Sequence, residues 1–366
     1  MSVPCVEAIE ERVLSGARLG REEGLWLWRQ GDLLELARLA NLVRFRINPE
    51  PVVTFVIDSN PNYTNVCVTD CVFCAFYRKP GQAGGYTLTL EQVMEKVRWA
   101  VEQGATTILL QGGHNPELPL DYYVSLVRET TRRFPHVTPH FFTASEVTSM
   151  AQTAGLAVRE VLARLKDAGQ TTLPGGGAEI LSDRIRRRLA PKKGGADAWL
   201  SVHREAHNLG FTSTATMMFG HIEEDDDILD HLELVRALQD ETGGFTAFIP
   251  WSFKPGNTPL IKHIRQHAGP TQYLRMLAVS RLFLDNVPHI QASWFSEGKK
   301  TGQIALHFGA DDFGGTLFEE NVHAAAAFIN RSSPEEVVRL IEEAGFRAAQ
   351  RTTGYGILRV FEPVAA

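Results

Sequence analysis

Cysteine is scarce in this sequence, an excess of basic charge is absent, and long apolar runs are missing. Four cysteines among 366 residues are too few for a fold held together by disulfide bonds. A formal net charge of −6 with scattered Lys and Arg leaves no basic surface for nucleic acid or acidic lipid. No apolar run reaches the ~18 residues of a membrane span, and Glu7, Glu10 and Glu11 stand where a signal peptide would be basic. The sequence therefore predicts a cytoplasmic protein with neither nucleic-acid nor membrane partners.

The composition that is present is that of a globular protein, with 44% hydrophobic residues, which excludes a disordered or collagen-like chain. Residues 6–46 contain two or three helical patterns with breaks near Gly20 and Gly31. We interpret residues 1–48 as an N-terminal helical cap. Residues 49–330 form the predicted main domain, and residues 331–366 form a C-terminal helix and strand that close one end of it.

The main domain alternates short β-like runs with amphipathic helical runs, which is the order of a parallel sheet built from βα units. Such runs number eight, and they favour an α/β fold of the TIM type, a (β/α) barrel, over an open sheet. The predicted strands are residues 52–58, 106–111, 138–144, 171–173, 212–219, 245–251, 290–295 and 304–308. Glycines and polar residues follow several of them, so the loops at the carboxyl ends of the strands are the expected active site.

Three of the four cysteines stand on one loop directly after the first strand. Cys67, Cys71 and Cys74 form a C-x3-C-x2-C pattern, whereas Cys5 stands alone. Three thiolates on a short loop suit an iron–sulfur cluster. A four-iron cluster with three cysteine ligands keeps one iron free, and the amino and carboxylate groups of S-adenosylmethionine can bind there. Phe73, beside the third cysteine, is expected to pack on the adenine of that cofactor or to shield the cluster.

Two other chemistries are possible for this loop. A structural zinc site needs four ligands, and the nearest further candidate is His114, far along the chain. A redox C-x-x-C at Cys71 and Cys74 leaves Cys67 without a purpose and lacks a thioredoxin-like context. Iron and sulfide analysis would distinguish these alternatives from a cluster.

The cysteine loop resembles that of the radical S-adenosylmethionine superfamily, in which Cys67, Cys71, Phe73 and Cys74 match. Within the superfamily, the chain from about residue 15 to its end resembles the futalosine cyclase family of the menaquinone route. Aminofutalosine synthases and the enzymes that make the deazaflavin chromophore share much of the pattern. The matching stretches are residues 63–67, 74–78, 111–113, 174–181, 214–221 and 243–251.

The resemblance implies a cytoplasmic radical enzyme with a 4Fe-4S cluster and S-adenosylmethionine as cofactors. Its small-molecule substrate would be dehypoxanthine futalosine, and flavodoxin or ferredoxin would supply the electron. A 5′-deoxyadenosyl radical would take hydrogen from the ribose C4′, and the sugar radical would add to the benzoate ring. This chemistry requires a cavity with little water.

The resemblance also implies roles for individual residues. Gln111, Gly112 and Gly113 would contact the cofactor, although the glycines also suit a tight turn. Ser145, Glu146 and Glu179 would bind ribose hydroxyls, unless Glu146 only caps a helix. Further cofactor contacts are expected from Arg186, Gly220 and Glu223.

On the substrate side, His221 and Glu179 are the predicted catalytic residues. His221 would accept the proton lost on rearomatisation, because histidine titrates near neutrality, although a lone histidine is more often structural. Arg78 or Lys254 would bind the benzoate charge. Additional substrate contacts are predicted for Trp251, Asn257 and Thr258.

Overall fold

The computed structural model describes residues 6–264 and 267–362, so the predicted solitary cysteine, Cys5, lies outside the described residues. Three helices open the described chain: α1 (Val6–Ser15), α2 (Arg21–Gln30) and α3 (Leu33–Ile47). Helix α2 begins after Gly20 and ends before Gly31, which confirms the predicted breaks. Asp32 caps α3, because its carboxylate accepts hydrogen bonds from two backbone N–H groups at 3.0 Å.

From residue 52 onward, strands and helices alternate as the sequence predicts. The first half contains β1 (Val52–Val56), β2 (Asp58–Ser59), α4 (Leu90–Glu102), β3 (Thr107–Leu110), α5 (Leu120–Arg133), β4 (Thr138–Phe141), α6 (Ala144–Ala154), α7 (Val158–Asp167), β5 (Thr172–Leu173), α8 (Asp183–Leu189) and α9 (Ala196–Asn208). The second half contains β6 (Thr212–Phe219), α10 (Asp225–Thr242), β7 (Phe245–Ser252), α11 (Pro270–Phe283), β8 (His289–Ile290), α12 (Trp294–Glu297), α13 (Lys299–Ala305), β9 (Asp312–Gly315), α14 (Val322–Ala325), α15 (Pro334–Glu343), β10 (Arg347–Arg351) and β11 (Ile357–Val360).

The strands form three sheets, in the orders β11-β10-β1-β9, β2-β3-β4 and β5-β6-β7-β8. All neighbours are parallel except β10 and β11. Strand β2 follows β1 directly, and a bridge between Gln291 and Asp312 connects the end of β8 to β9. Within residues 6–264 and 267–362 no ladder joins β4 to β5. The fold is α/β with parallel strands, and closure of the strands into a barrel stays a prediction.

Two of the predicted strands are wrong. Of residues 290–295, only Ile290 belongs to a strand, β8 (His289–Ile290), and Trp294 begins α12. Residues 304–308 lie at the end of α13 and in the following turn, and the strand at this place in the order is β9. A short apolar run suits a buried helix as well as a strand. Here Trp294 stacks on Phe313 of β9, which fixes α12 over the sheet.

The C-terminal segment takes part in the sheet beside β1. Strand β10 pairs in parallel with β1, with Val52 opposite Arg347, and the residues that follow it reach the central cavity. Strand β10 was not predicted from the sequence, because its residues, Arg-Ala-Ala-Gln-Arg, include no β-branched residue. None of the helices in the described ranges has both the length and the apolar character that crossing a membrane requires. The domain boundaries at residues 48 and 330 remain a proposal.

Candidate functional site

One cavity of about 360 Å³ contains most of the predicted site, within the usual size of a small-molecule pocket. Its wall is built from strand residues, from loops after the strands and from the C-terminal segment. The predicted site residues that line it are Cys67, Cys71, Phe73, Cys74, Gln111, Gly112, Gly113, Ser145, Glu146, Glu179 and Trp251. The structure thus brings together side chains that are widely separated in the sequence.

The cysteine loop is shaped by its own backbone hydrogen bonds. The N–H of Cys67 donates to the carbonyl of Arg78 at 2.9 Å, and that of Cys74 donates to Cys71 at 3.1 Å. The Arg78 guanidinium donates to the carbonyls of Ala75, Phe76 and Tyr77. Arg78 therefore organises the loop that carries the cysteines. Arg78 does not line the cavity, so it is not placed to contact a substrate there.

The three thiols fit an iron–sulfur cluster by their chemistry. All three are free and line the cavity, with Cys67 and Cys71 buried. Burial destabilises the thiolate of Cys71 and so raises the pKa of its thiol to about 11. A bound iron would stabilise that thiolate. In the described part of the chain, no group of three His, Cys, Asp or Glu side chains is found in an arrangement that could hold a metal ion. Thiolates as the donors, with cavity space beside them, are what a cluster needs.

Lys193 is a buried cation beside the cysteines that the sequence analysis missed. Its Nζ lies 2.8 Å from Glu179 Oε1, and only 13% and 7% of the two side chains are exposed. Burial alone would lower the pKa of Lys193, but the nearby Cys71 and Glu179 raise it above its ordinary value. In the sequence this residue belongs to Lys192-Lys193-Gly194-Gly195, which has the appearance of a solvated turn, so no local signal could have found it.

The glycine pair after β3 lies where a side chain cannot be tolerated. A Cβ at Gly113 would stand 2.2 Å from the carbonyl oxygen of Val66, and one at Gly112 would stand 2.6 Å from the Tyr63 ring. Close backbone approach to the cysteine loop therefore requires glycine at both positions. The glycines bring backbone N–H and C=O groups to the cavity wall, as a cofactor-binding turn would.

Glu146 holds this glycine turn in place. Its carboxylate accepts hydrogen bonds from Gly112 N–H at 2.9 Å and from the Tyr63 hydroxyl at 2.8 Å. The backbone and hydroxyl of Thr143 donate to its other oxygen at 2.8 and 2.7 Å. Glu146 thus caps α6, which was the alternative considered for it. Ser145 lies beside it with its hydroxyl 3.2 Å from His114 Nε2.

Three residues expected near the cofactor are engaged within their own loops. The Arg186 guanidinium donates to the carbonyl oxygens of Gly177, Ala178 and Gly194. Glu223 accepts from the backbone N–H groups of Gly220 and His221. Neither side chain lines the cavity, and neither does Gly220. Arg186 instead connects the segment just before Glu179 to the residue just after Lys193.

The predicted proton acceptor His221 also faces away from the cavity. Its Nε2 is 3.0 Å from the carbonyl oxygen of Met218, and its Nδ1 accepts from Ile222 N–H at 2.7 Å. The side chain is fully buried against Glu223. The ring is therefore occupied by structural contacts, which was the alternative interpretation of a lone histidine.

The predicted substrate contacts near the end of β7 and after it divide into two groups. Trp251 lines the cavity and packs on the His323 ring with centroids 5.4 Å apart. Lys254 points to Ser252 at 2.7 Å and to Glu297 at 3.5 Å, and burial lowers its pKa. The Asn257 amide donates to Ala325 O, and the Thr258 hydroxyl donates to Pro255 O. Only Trp251 is placed to touch a ligand in the cavity.

Other cavity residues were missed by the sequence analysis. The polar ones come from widely separated parts of the chain: Asp58, Asn60, His140, Glu320, His323, Arg351, Thr353 and Tyr355. Burial raises the pKa of Asp58 and that of Glu320 to about 7. Six of them lie in a strand or within two residues of one, and Glu320 and His323 lie at α14, which sequence spacing alone does not reveal.

Two family models match the chain. The Radical SAM superfamily matches residues 62–235, and the CofH/MqnC C-terminal region matches residues 242–364. The cyclic dehypoxanthine futalosine synthase of Halalkalibacterium halodurans is 42% identical over 98% of this chain and 96% of its own length. The aminodeoxyfutalosine synthase of Thermus thermophilus is 41% identical over 99% of this chain and 98% of its own.

A third relative has another named activity. The 5-amino-6-(D-ribitylamino)uracil–L-tyrosine 4-hydroxyphenyl transferase of Methanopyrus kandleri is 41% identical over 97% of this chain and 98% of its own. Among solved structures, methylornithine synthase superposes with a TM-score of 0.73 at 18% identity, covering 93% of this chain and 97% of its own. The [FeFe]-hydrogenase maturase HydG gives 0.75 at 18%, covering 95% and 76%. These structures support the α/β fold.

Proposed function

The chain belongs to the radical SAM superfamily, in its CofH/MqnC group, and from this membership we propose that it cyclises dehypoxanthine futalosine to cyclic dehypoxanthine futalosine in menaquinone biosynthesis. The observation that carries the proposal is one cavity lined by the three thiols together with polar and aromatic side chains. Two relatives named cyclic dehypoxanthine futalosine synthase, at 42% and 41% identity, favour this reaction.

In this proposal, Cys67, Cys71 and Cys74 hold a 4Fe-4S cluster, and the backbone at Gly112 and Gly113 holds S-adenosylmethionine beside it. When bound, the two cofactors supply a 5′-deoxyadenosyl radical that starts hydrogen abstraction from the ribose C4′. The electron needed for each cleavage of S-adenosylmethionine comes from flavodoxin or ferredoxin.

The other cavity residues position the reactants and exclude water. The ion pair between Lys193 and Glu179 keeps a positive charge beside the thiolates, and Glu179 faces the cavity where a ribose hydroxyl can bind. Phe73 lies 5.3 Å from Lys193 Nζ and covers this end of the cavity. The burial of these side chains keeps bulk water from the cysteines, as radical chemistry requires.

Rearomatisation of the ring releases one electron and one proton. The electron would pass to the oxidised 4Fe-4S cluster, and for the proton we propose Glu320 in place of His221. Glu320 lines the cavity, while its two carboxylate oxygens accept one backbone N–H each, from Val322 at 2.9 Å and His323 at 2.8 Å. A carboxylate with a pKa raised to about 7 by burial is suited to accept a proton near neutral pH.

The test is anaerobic incubation of the purified, reconstituted protein with reductant, S-adenosylmethionine and dehypoxanthine futalosine. We expect a product lighter than the substrate by two hydrogens, together with 5′-deoxyadenosine. Cys71→Ala should form neither, whereas Cys5→Ala should form both. Recovery of unchanged substrate from the wild-type protein would contradict the proposal.

A second candidate is an aminofutalosine synthase, and a deazaflavin-chromophore synthase is a third, because relatives with those activities are 41% identical. An aminofutalosine synthase adds the adenosyl group to its substrate, so it would release no free 5′-deoxyadenosine. Incubation with each substrate class in turn, followed by mass analysis, separates the three.

A further inference from the structure

The cavity is also lined by the end of β10 and by residues that follow it. Tyr355 stacks on His289, the first residue of β8, with ring centroids 3.8 Å apart and 4° between the planes. Thr353 hydrogen-bonds at 2.6 Å to Thr107, the first residue of β3. Both contacts are with the amino ends of parallel strands, whereas the cysteines follow the carboxyl end of β2. We call this part of the cavity wall, formed by Arg351, Thr353 and Tyr355, the cavity floor.

The floor contains a buried hydroxyl with no partner. Tyr355 lines the cavity, and among the described residues its hydroxyl has no hydrogen-bond partner and no contact with solvent. An unpaired buried hydroxyl costs about 1–3 kcal/mol. Because the hydroxyl has almost no accessible surface, a hydrogen-bond acceptor of a ligand reaches it only after a small shift of the floor residues, and that contact would remove the cost.

Arg351 supplies positive charge at the same place. Its guanidinium carbon lies 4.0 Å from the centre of the Tyr355 ring. Its Nε and Nη2 donate to Asp312, and its Nη1 donates to the carbonyl of Thr352 at 3.1 Å. A guanidinium has five N–H groups, so two remain for another acceptor. Arg351 is the sole arginine that lines the cavity in the described ranges.

The acidic neighbours of the floor are compatible with an anionic ligand. The Asp312 carboxylate is neutralised by Arg351 and also accepts from the Thr54 hydroxyl. Asp58 accepts from Leu317 N–H at 2.7 Å, and burial raises its pKa to about 7, so its negative charge is reduced. The other cation of the cavity, Lys193, is paired with Glu179 at the cysteine end. Arg78 and Lys254, which the sequence suggested for this task, do not line the cavity.

We propose that Tyr355 and Arg351 bind the carboxylate of an aryl carboxylic acid at the cavity floor and so orient the substrate with its sugar toward the cysteines. The inference rests on the proposed function, because it assigns the benzoate end of that substrate to one end of the cavity. Tyr355 and Arg351 are specificity residues in this assignment, since they contact the substrate away from the reacting atoms.

The test measures binding directly, without cluster or turnover. Titration calorimetry of the full chain compares 3-acetylbenzoate with its uncharged analogue 3-acetylbenzamide. We expect the wild-type protein to bind the acid more tightly, and Tyr355→Phe to weaken binding of the acid by about tenfold or more, as loss of a hydrogen bond to a charged group does. Binding of the amide should change less.

The matched control is Tyr122→Phe, which removes a hydroxyl that donates to Leu88 O outside the cavity and should leave binding of the acid unchanged. Arg351→Lys keeps a cation for Asp312 but loses the guanidinium fork, so it too should weaken binding of the acid while the circular dichroism spectrum stays native. Equal affinity of wild type and Tyr355→Phe for 3-acetylbenzoate would overturn the inference, as would equal weakening for acid and amide.

Turnover then separates this inference from the proposed function. If the wild type cyclises dehypoxanthine futalosine, Tyr355→Phe should raise KM for that substrate and leave KM for S-adenosylmethionine unchanged. If the wild type cyclises it and Tyr355→Phe has an unchanged KM, the inference fails and the function stands. If the wild type does not cyclise it but Tyr355→Phe still loses affinity for the acid, the function fails and the floor remains an aryl carboxylate site.

Discussion

Replacement of Glu146 by Gln tests whether this residue holds the glycine turn against the cysteine loop. Oε1 of Glu146 accepts from the Tyr63 hydroxyl and Gly112 N–H, and Oε2 accepts from the backbone and hydroxyl of Thr143. Glutamine keeps one acceptor oxygen and puts an NH2 group against the other two donors. Two charge-assisted hydrogen bonds are therefore lost from a side chain that is 3% exposed.

The magnitude follows from those two bonds. Hydrogen bonds to charged groups contribute about 1.5–3 kcal/mol each, while removal of the buried charge returns part of its desolvation cost, since burial raises the pKa of Glu146. We expect Glu146→Gln to lower the free energy of unfolding by about 3 kcal/mol. Urea unfolding followed by circular dichroism measures it.

The matched control is Glu160→Gln. Glu160 occupies the same position at the start of α7, and its carboxylate accepts a hydrogen bond from Ala157 N–H, but it is exposed. Its replacement should cost about 0.5 kcal/mol or less. A loss below about 1 kcal/mol for Glu146→Gln, or equal losses for the two variants, would refute the assignment of Glu146 to the glycine turn.

Three further predictions concern the same cavity. Gly113→Ala puts a Cβ 2.2 Å from Val66 O and should abolish iron retention on reconstitution, whereas Gly269→Ala, with nothing within 4 Å, should retain it; full iron content in Gly113→Ala would contradict this. Lys193→Met leaves Glu179 buried without its partner and should destabilise the protein by about 3–5 kcal/mol, and addition of Glu179→Gln should recover part of that loss in urea unfolding; no recovery would show that the two side chains are not coupled. Glu320→Gln should be more stable relative to the wild type at pH 8 than at pH 5. Burial raises the folded-state pKa of Glu320 to about 7, so the stability that the protonated carboxyl contributes to the wild type is present at low pH and lost as pH rises through that value. A difference in melting temperature between variant and wild type that does not change with pH would contradict this.

The sequence predicted the parts of the site that depend on local spacing. The cysteine loop and the glycine pair follow strands, and Trp251 lies near the end of one. All three line the cavity, and the pattern located the boundaries of these strands within a few residues. The predicted strands at residues 290–295 and 304–308 were wrong, because a short apolar run does not distinguish a strand from a buried helix.

The remainder of the site depends on contacts between distant segments. Lys193 and Tyr355 reach the cavity only through the α8 loop and the return of β10 beside β1, which no local pattern encodes. Conversely, Arg78, Arg186 and Lys254 have the charge that the ligands require, but their side chains bind backbone carbonyls or neighbouring side chains. Charge in a sequence indicates what a residue can bind, and only the fold indicates which partner it has.

The cluster itself can be tested by one measurement, the electron paramagnetic resonance spectrum of the anaerobically reconstituted, reduced protein with and without S-adenosylmethionine. We expect about four irons and four sulfides per chain and a cluster signal that changes when S-adenosylmethionine binds, because one iron would have no protein ligand. A signal unaffected by S-adenosylmethionine, or a protein that contains zinc and no sulfide, would contradict the account.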